Sequence, residues 1–438
     1  MLKVAVIADD LTGAADTGVL FAPVVAEMRL LTAERFGARP DKSALSGVAI
    51  STDSRSMDSD RAGRVVADLA GHLKAMQPDL VYKKIDSCLR GHVGVELLRL
   101  MDACGRRGAL VVPAYPRLGR ATINDTHYVM GVPVAESEAG ADPVRPVSSS
   151  LLSENLALGH AAPVGFVDIS AVEGGQMSLA GAVRDVLDQG RRLIAVDAAT
   201  DGDLDIIAAT ALEFFPDLVL SGSAGLAHSV AARLTHQAGR KPGRAAHAAG
   251  RGFSLPPRPA LFVGGSASTV LRGQLEALSR EGGIPLLTLE ARQVLHGLPE
   301  QAKSDLTRAL AENSLIICLS PPDAGASRLP SQELALALGS LAAGLVRGRS
   351  GLLGAVFASG GDTAQAVLHR LGNPEMVIHC ELAPGFIAST LAEGPCAGLF
   401  FLTKSGSFGA PDLLSEVYNR LRRSWPGEEI GEARSAAP

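Results

Sequence analysis

The 438-residue sequence is too long for one hydrophobic core, which stops growing near roughly 250–300 residues, so two domains are expected. Hydrophobic residues make up 47% and charged residues 20%, as in globular proteins, and 48 Gly against 4% aromatics predict an α/β fold with many tight strand-to-helix turns. A formal net charge of −5 leaves no basic face to displace counterions from nucleic acid, and no apolar run of about 18 residues predicts a membrane span.

The five cysteines, Cys88, Cys104, Cys318, Cys380 and Cys396, are scattered without a C-x-x-C pair, which reads as reduced thiols. The N-terminus enters an apolar strand directly, with no basic and then apolar leader, so a cytoplasmic protein is expected. A homodimer is left open as the assembly.

In chain order, apolar runs bounded by turn residues predict buried parallel strands at 3–10, 47–54, 79–87, 109–116, 164–170, 191–200 and 217–225. Amphipathic stretches such as 61–76 and 93–104 are long enough for crossover helices, and a helix is expected through Leu234. Residues 235–258, rich in Gly, Ala, Pro and basic residues, predict a linker. A second α/β unit follows over 259–424, with strands at 260–268, 284–290, 314–320, 354–363 and 398–406 and helices near 269–280, 332–347, 364–371 and 412–423. A polar tail at 425–438 is expected to be disordered. The predicted fold class is thus α/β in two domains, each a mainly parallel sheet flanked by helices, with a site in the cleft between them.

Ligands of open parallel sheets bind beyond the carboxyl ends of the strands, so the residues following each strand carry the functional signal. The first strand ends in IADDLTGAADT, where Asp9 and Asp10 could hold a hydroxyl, act as a base or cap the following helix; capping requires only one acid. The second ends in STDSRS, where Arg55 could fork a carboxylate or simply lie at the surface. The third ends in YKKIDSCLRGHVG; alternation puts Lys84 and Asp86 on one face and Lys83 and Ile85 on the other, either as a binding site or as a structural salt bridge. In the second half, GGSAST (264–269), SGGDT (359–363) and KSGSFG (404–409) follow strands with small residues that admit an anion close to backbone N–H groups, which predicts a nucleotide.

Neither a P-loop nor a dinucleotide fingerprint opens a helix, no zinc-ligand spacing occurs, and there is no nucleophile elbow. An NAD(P)-dependent hydroxy-acid dehydrogenase would share the architecture but should carry the missing fingerprint. A non-catalytic sugar-acid sensor would have no need of the three small-residue loops.

IADDLTGAADTG, YKKIDSCLRG, VVPAYPRLGRATINDTHYVMGVPVAES, SGGDT and KSGSFG occur in that order, and together they resemble the four-carbon acid sugar kinases, a family formerly grouped as a domain of unknown function. The resemblance runs from Lys3 to about Leu421. It implies an N-terminal sugar-acid-binding domain, a C-terminal nucleotide-binding domain and Mg²⁺-dependent transfer of phosphate from ATP to the terminal hydroxyl of threonate, erythronate or a 3-oxo-tetronate. By position, Asp9, Arg55 and the run Lys84, Ile85, Asp86 and Ser87 match the substrate motifs, and either Asp86 or Asp9 is expected to orient the terminal hydroxyl and accept its proton. Ser266, Gly360, Gly361, Asp362, Thr363 and Gly406 match the ATP motifs. The K-I-D-S pattern looks like the D-threonate and D-erythronate branch, with D-threonate the leading expectation. Cys88 stands where the family usually has Thr, and His92 where it has Asn.

Overall fold

The computed structural model describes residues 2–142, 145–239, 253–265, 268–320, 331–349, 351–406 and 408–423. The first half supplies β1 (Val4–Ala8), β2 (Met28–Thr32), β3 (Gly47–Ser51), β4 (Leu80–Lys84) and β5 (Ala109–Val112). A small antiparallel sheet of β6 (Arg120–Ile123), β7 (Thr126–Val129) and β8 (Val132–Pro133) follows, then β9 (Val164–Val167), β10 (Leu193–Val196) and β11 (Val219–Gly222). The second half adds β12 (Ala260–Gly264), β13 (Leu286–Leu289), β14 (Leu315–Leu319), β15 (Ala355–Ser359), β16 (Met376–Ala383), β17 (Phe386–Leu391) and β18 (Phe400–Lys404).

Eight first-half strands run parallel in the order β2-β3-β1-β4-β11-β5-β10-β9. The second half orders β13-β14-β12-β15-β18 in parallel and ends in the antiparallel strands β17 and β16. The all-buried β1, β3, β12 and β15 follow from their mainly apolar runs, which helices cover on both faces, while β4 is as deeply buried although it ends in Lys83 and Lys84.

The two sheets are not separate. β16 pairs antiparallel with β2, so a single 15-stranded sheet runs through both halves. Neither strand is among those the sequence predicts. β16 alternates buried and half-exposed residues and is interrupted by register shifts, unlike the continuous apolar runs elsewhere. Charge locks the seam: Arg29, Arg35 and Arg39 converge on Glu375, itself 4% exposed, and Arg35 also meets Glu393.

The helix expected to end at Leu234 continues to Gln237. Residues 240–252 of the expected linker and the expected tail lie outside the described residues.

Register fixes where the site forms. Ala8 of β1 sits opposite Ser51 of β3 and Lys84 of β4, so the loops after these three strands emerge side by side. In the second half Ser359 of β15 sits opposite Gly264 and Lys404, which groups the three small-residue loops in the same way.

Candidate active site

The exit of β1 is organised by a helix cap. Asp10 accepts hydrogen bonds from the Gly13 N–H at 2.9 Å and the Thr12 hydroxyl at 2.8 Å, closing the first turn of the helix Leu11–Phe21. Asp9, 4% exposed, serves differently: Arg55 donates to it through Nε at 2.7 Å and Nη2 at 2.9 Å, a two-pronged charged pair. The same Nη2 lies 3.1 Å from Asp10 Oδ1. Arg55 is therefore committed to the protein's own acids rather than spread on the surface. Its loop is braced by Arg145, which donates to the carbonyls of Arg55 at 3.1 Å, Ser56 at 3.0 Å and Met57.

The two lysines of β4 part company as alternation requires. Lys83 is buried against Glu96, with Nζ 2.7 Å from the carboxylate, and Ser54 donates to the other oxygen of Glu96 at 2.6 Å. Lys84 is 6% exposed, yet its ammonium has no hydrogen bond or direct ion pair among the described residues. It lies over the first turn of the helix Leu11–Phe21: a Cβ at Gly13 would stand 2.4 Å from Asp10 Oδ1 and 3.1 Å from Lys84 Nζ, so the glycine is required. Burial opposes the charge of Lys84, but Asp16, Asp10 and Asp9 outweigh it and hold its pKa above the ordinary lysine value.

Asp86 is clamped by Arg90, which donates through Nε at 2.6 Å and Nη2 at 3.2 Å. Burial alone would raise its pKa; Arg90, Arg55 and Lys84 overcome that and keep the carboxyl well below the usual range. Asp142 extends the chain, accepting from Arg90 Nη1 at 3.3 Å. Ser87 is half-buried and presents its carbonyl to His127. The Ile85 side chain, 1% exposed, belongs to the core and faces away from Lys84 and Asp86.

Across the seam, Gly360 adopts φ +98°, a conformation open to glycine, and its N–H donates to the Lys404 carbonyl at 2.9 Å. It opens the helix Gly361–Leu371, and a Cβ on Gly361 would lie 3.3 Å from both Asp10 Oδ2 and Thr12 Oγ1. Two helix N-termini, one from each half, thus face each other, an arrangement that favours an anion between them. Thr363 is buried against Gly265, where a Cβ would stand 2.1 Å from its hydroxyl. Gly406 is buried in the turn beyond Lys404. Ser266 lies outside the described residues.

Asp53 of the first half feels the charge of Asp362 from the second. Lost hydration, then the negative charges of Asp362 and Asp10, push Asp53 up to about 7; lost hydration likewise raises Asp362. Both residues are exposed.

Sequence reasoning assigned no role to several of these groups. Arg90 sits in a motif already quoted, and Asp16 lies one helical turn beyond Gly13, where burial lifts its carboxyl to about 6 against the pull of Lys84. Helical spacing could have found it. Arg145, Asp142 and His127 carry no local signal for a role here, because the contacts that bring them to the site span 40 or more residues of the chain.

Among known proteins, residues 4–230 match a sugar-binding N-terminal domain and residues 261–414 a nucleotide-binding C-terminal domain. A D-threonate kinase of Bordetella bronchiseptica is 30% identical, covering 96% of this chain and 97% of its own. A Salmonella typhimurium D-threonate kinase is 29% identical over 98% and 100%, and a Heliobacterium modesticaldum D-erythronate kinase 27% over 98% and 100%. A Haemophilus influenzae crystal structure from a domain-of-unknown-function family shares the fold with a TM-score of 0.73 at 24% identity, covering 95% of this chain and 100% of its own. A sugar-binding half that gathers acids and cations, joined to a nucleotide-binding half that gathers small-residue loops, is matched along nearly the whole chain, which therefore belongs to the four-carbon acid sugar kinase family.

Proposed function

We propose that this kinase transfers the terminal phosphate of ATP to the 4-hydroxyl of D-threonate, with the sugar acid bound by residues 1–234 and the nucleotide by residues 259–424. The observation that carries the reading is Lys84: a lysine only 6% exposed, with three acids around it and no direct partner among the described residues, suits a small anion delivered by the substrate. Lys84 would take the substrate carboxylate together with Arg55, which would share its fork between Asp9 and the ligand.

Asp86, fixed as an anion by Arg90, would orient the terminal hydroxyl, and Asp9 would accept its proton as phosphate transfers. Gly361, Asp362, Thr363 and Gly406, with Ser266, would hold the ATP phosphates through backbone N–H groups, and Gly360, whose own N–H is spent on the Lys404 carbonyl, would shape the turn that presents them. Phosphoryl transfer asks mainly for positioning and for stabilisation of charge.

Mg²⁺ fits the donor set through few protein ligands. No group of three His, Cys, Asp or Glu among the described residues is arranged to hold a metal ion. Asp53 and Asp362, whose proton affinities are raised, would supply two hard oxygen donors, and Mg²⁺ commonly takes one or two carboxylates plus phosphate oxygens. When bound it would neutralise charge on the phosphates.

An ATP-coupled ADP-release screen against D- and L-threonate, D- and L-erythronate and the 3-oxo-tetronates tests the substrate. The highest kcat/KM is expected with D-threonate; preference for another acid overturns that choice, and no turnover with any overturns the whole reading. Asp9→Asn and Asp86→Asn are each expected to abolish turnover, with Asp86→Asn also weakening sugar-acid binding. Retained turnover in both would sink the assigned roles.

A further inference from the structure

His127 lies outside every assigned motif role, yet it is fully buried and uses both ring nitrogens. Nε2 lies 2.8 Å from the Ser87 carbonyl oxygen and Nδ1 lies 2.9 Å from the Thr122 hydroxyl. A carbonyl only accepts, so Nε2 carries the proton; Nδ1 is then the acceptor, and Thr122 donates to it. The ring is thereby held as the neutral tautomer, and burial agrees, since it pushes the imidazole down to about 4.

The bond has a mechanical consequence. Ser87 follows Asp86 in the loop that leaves β4, and that loop turns tightly: Leu89 adopts φ +64° and donates its N–H to the Asp86 carbonyl at 3.0 Å. The turn brings Arg90 back onto Asp86. The other end of the strut is anchored in the small sheet, where Thr122 of β6 sits opposite His127 of β7. The Thr122 backbone in turn exchanges two hydrogen bonds with Ala198, at 2.8 and 3.0 Å, which ties the small sheet to the main fold. The small sheet is therefore braced at one end and reaches the substrate loop at the other, where His127 donates to the Ser87 carbonyl and Arg120 bonds the Cys88 thiol.

We infer that His127 is a positioning residue: through the Ser87 carbonyl it sets the conformation of the Asp86–Arg90 turn and so the geometry of sugar-acid binding, without touching the substrate. This rests on the assignment of Lys84–Ser87 to the sugar acid.

Two substitutions divide the ring's two contacts. His127→Gln reaches as far as Nε2 and keeps a donor for Ser87; His127→Asn reaches only as far as Nδ1, so it keeps Thr122 and abandons the carbonyl. A buried acceptor left without its donor changes an equilibrium by about 5- to 150-fold. His127→Asn is therefore expected to raise the sugar-acid KM by about tenfold or more while leaving the ATP KM within about twofold. His127→Gln is expected to stay within about threefold of wild type for both substrates. In the substrate-free protein, amide exchange over residues 86–90 should accelerate in His127→Asn and not in His127→Gln.

Equal sugar-acid KM values and equal exchange in the two variants would overturn the inference, as would a parallel rise in both substrates' KM. Should His127→Asn not fold, Thr122→Val serves. It removes the hydroxyl that fixes the tautomer, and a smaller rise in sugar-acid KM alone, about threefold, is expected; no rise counts against the strut. Exchange is read without substrate, so it tests the strut even if no four-carbon acid is phosphorylated, a result that would instead defeat the proposed activity.

Discussion

Lys84 and Lys404 end strands in opposite halves of the molecule, both are buried, and their surroundings have little else in common. Lys84 is ringed by Asp16, Asp10 and Asp9 at a distance and bonded to none of them, and the acids keep it charged. Lys404, 1% exposed, donates at 2.7 Å to the carbonyls of Ser405 and Phe408, and burial, with no acid to oppose it, draws its pKa down to about 8. On the proposed reading the first half thus holds charge in reserve for a charged ligand. The second uses its lysine inward, to fold the loop that carries Gly406, and leaves the outward face to backbone and small side chains. A sugar acid differs from its competitors in where its carboxylate and hydroxyls lie, which charged side chains read well. A nucleotide's phosphates present oxygens that backbone N–H groups serve well.

Lys83 gives the largest effect and the cleanest control, being adjacent to Lys84 and buried to a similar degree but paired with Glu96. Lys83→Met leaves Glu96 buried without its cation, and removing one partner of such a pair costs about 3–5 kcal/mol. Chemical denaturation should report a loss of that size, with both KM values near wild type in the protein that remains folded. Lys84→Met inverts the pattern: kcat/KM for the sugar acid should fall by about 100-fold or more, roughly 3 kcal/mol, with a much smaller change in stability. If Lys84→Met instead mainly unfolds the protein and spares the activity, Lys84 is structural and the contrast collapses.

Much of this was legible because parallel strands bury apolar runs, and functional residues crowd where those runs stop. Asp9, Arg55, Lys84 and Asp86 all stand at such stops, and period-two alternation separates Lys84 from Lys83 before any coordinates. What stayed hidden depends on pairing across the chain. β2 and β16 join the halves through a short antiparallel contact between strands that are only partly buried, and neither has a pattern that names its partner. The Arg55–Asp9 fork spans 46 residues, so sequence could offer the arginine as a carboxylate binder but not say that the carboxylate is the protein's own. His127 was invisible for the same reason, since its two contacts span 5 and 40 residues and only the second gives it a role in the site.

Lys404 gives the smallest effect and the finest test of the comparison. Lys404→Met removes two hydrogen bonds that shape the turn after β18 and no contact to the sugar acid, so it should raise the ATP KM by about tenfold and leave the sugar-acid KM unchanged. It should also remove a pH dependence of stability. In the folded chain Lys404 releases its proton near 8, against an ordinary 10.5 in the unfolded chain. Between those values the unfolded state binds more protons, so this residue's contribution to stability is complete above about 10.5 and is lost as pH falls to about 8. The stability of wild type relative to Lys404→Met should therefore rise with pH from about 8 upward and stay level below it. A flat difference across that range would mean that the ammonium is solvated or paired in solution, and Lys404 would then resemble Lys84 instead of opposing it.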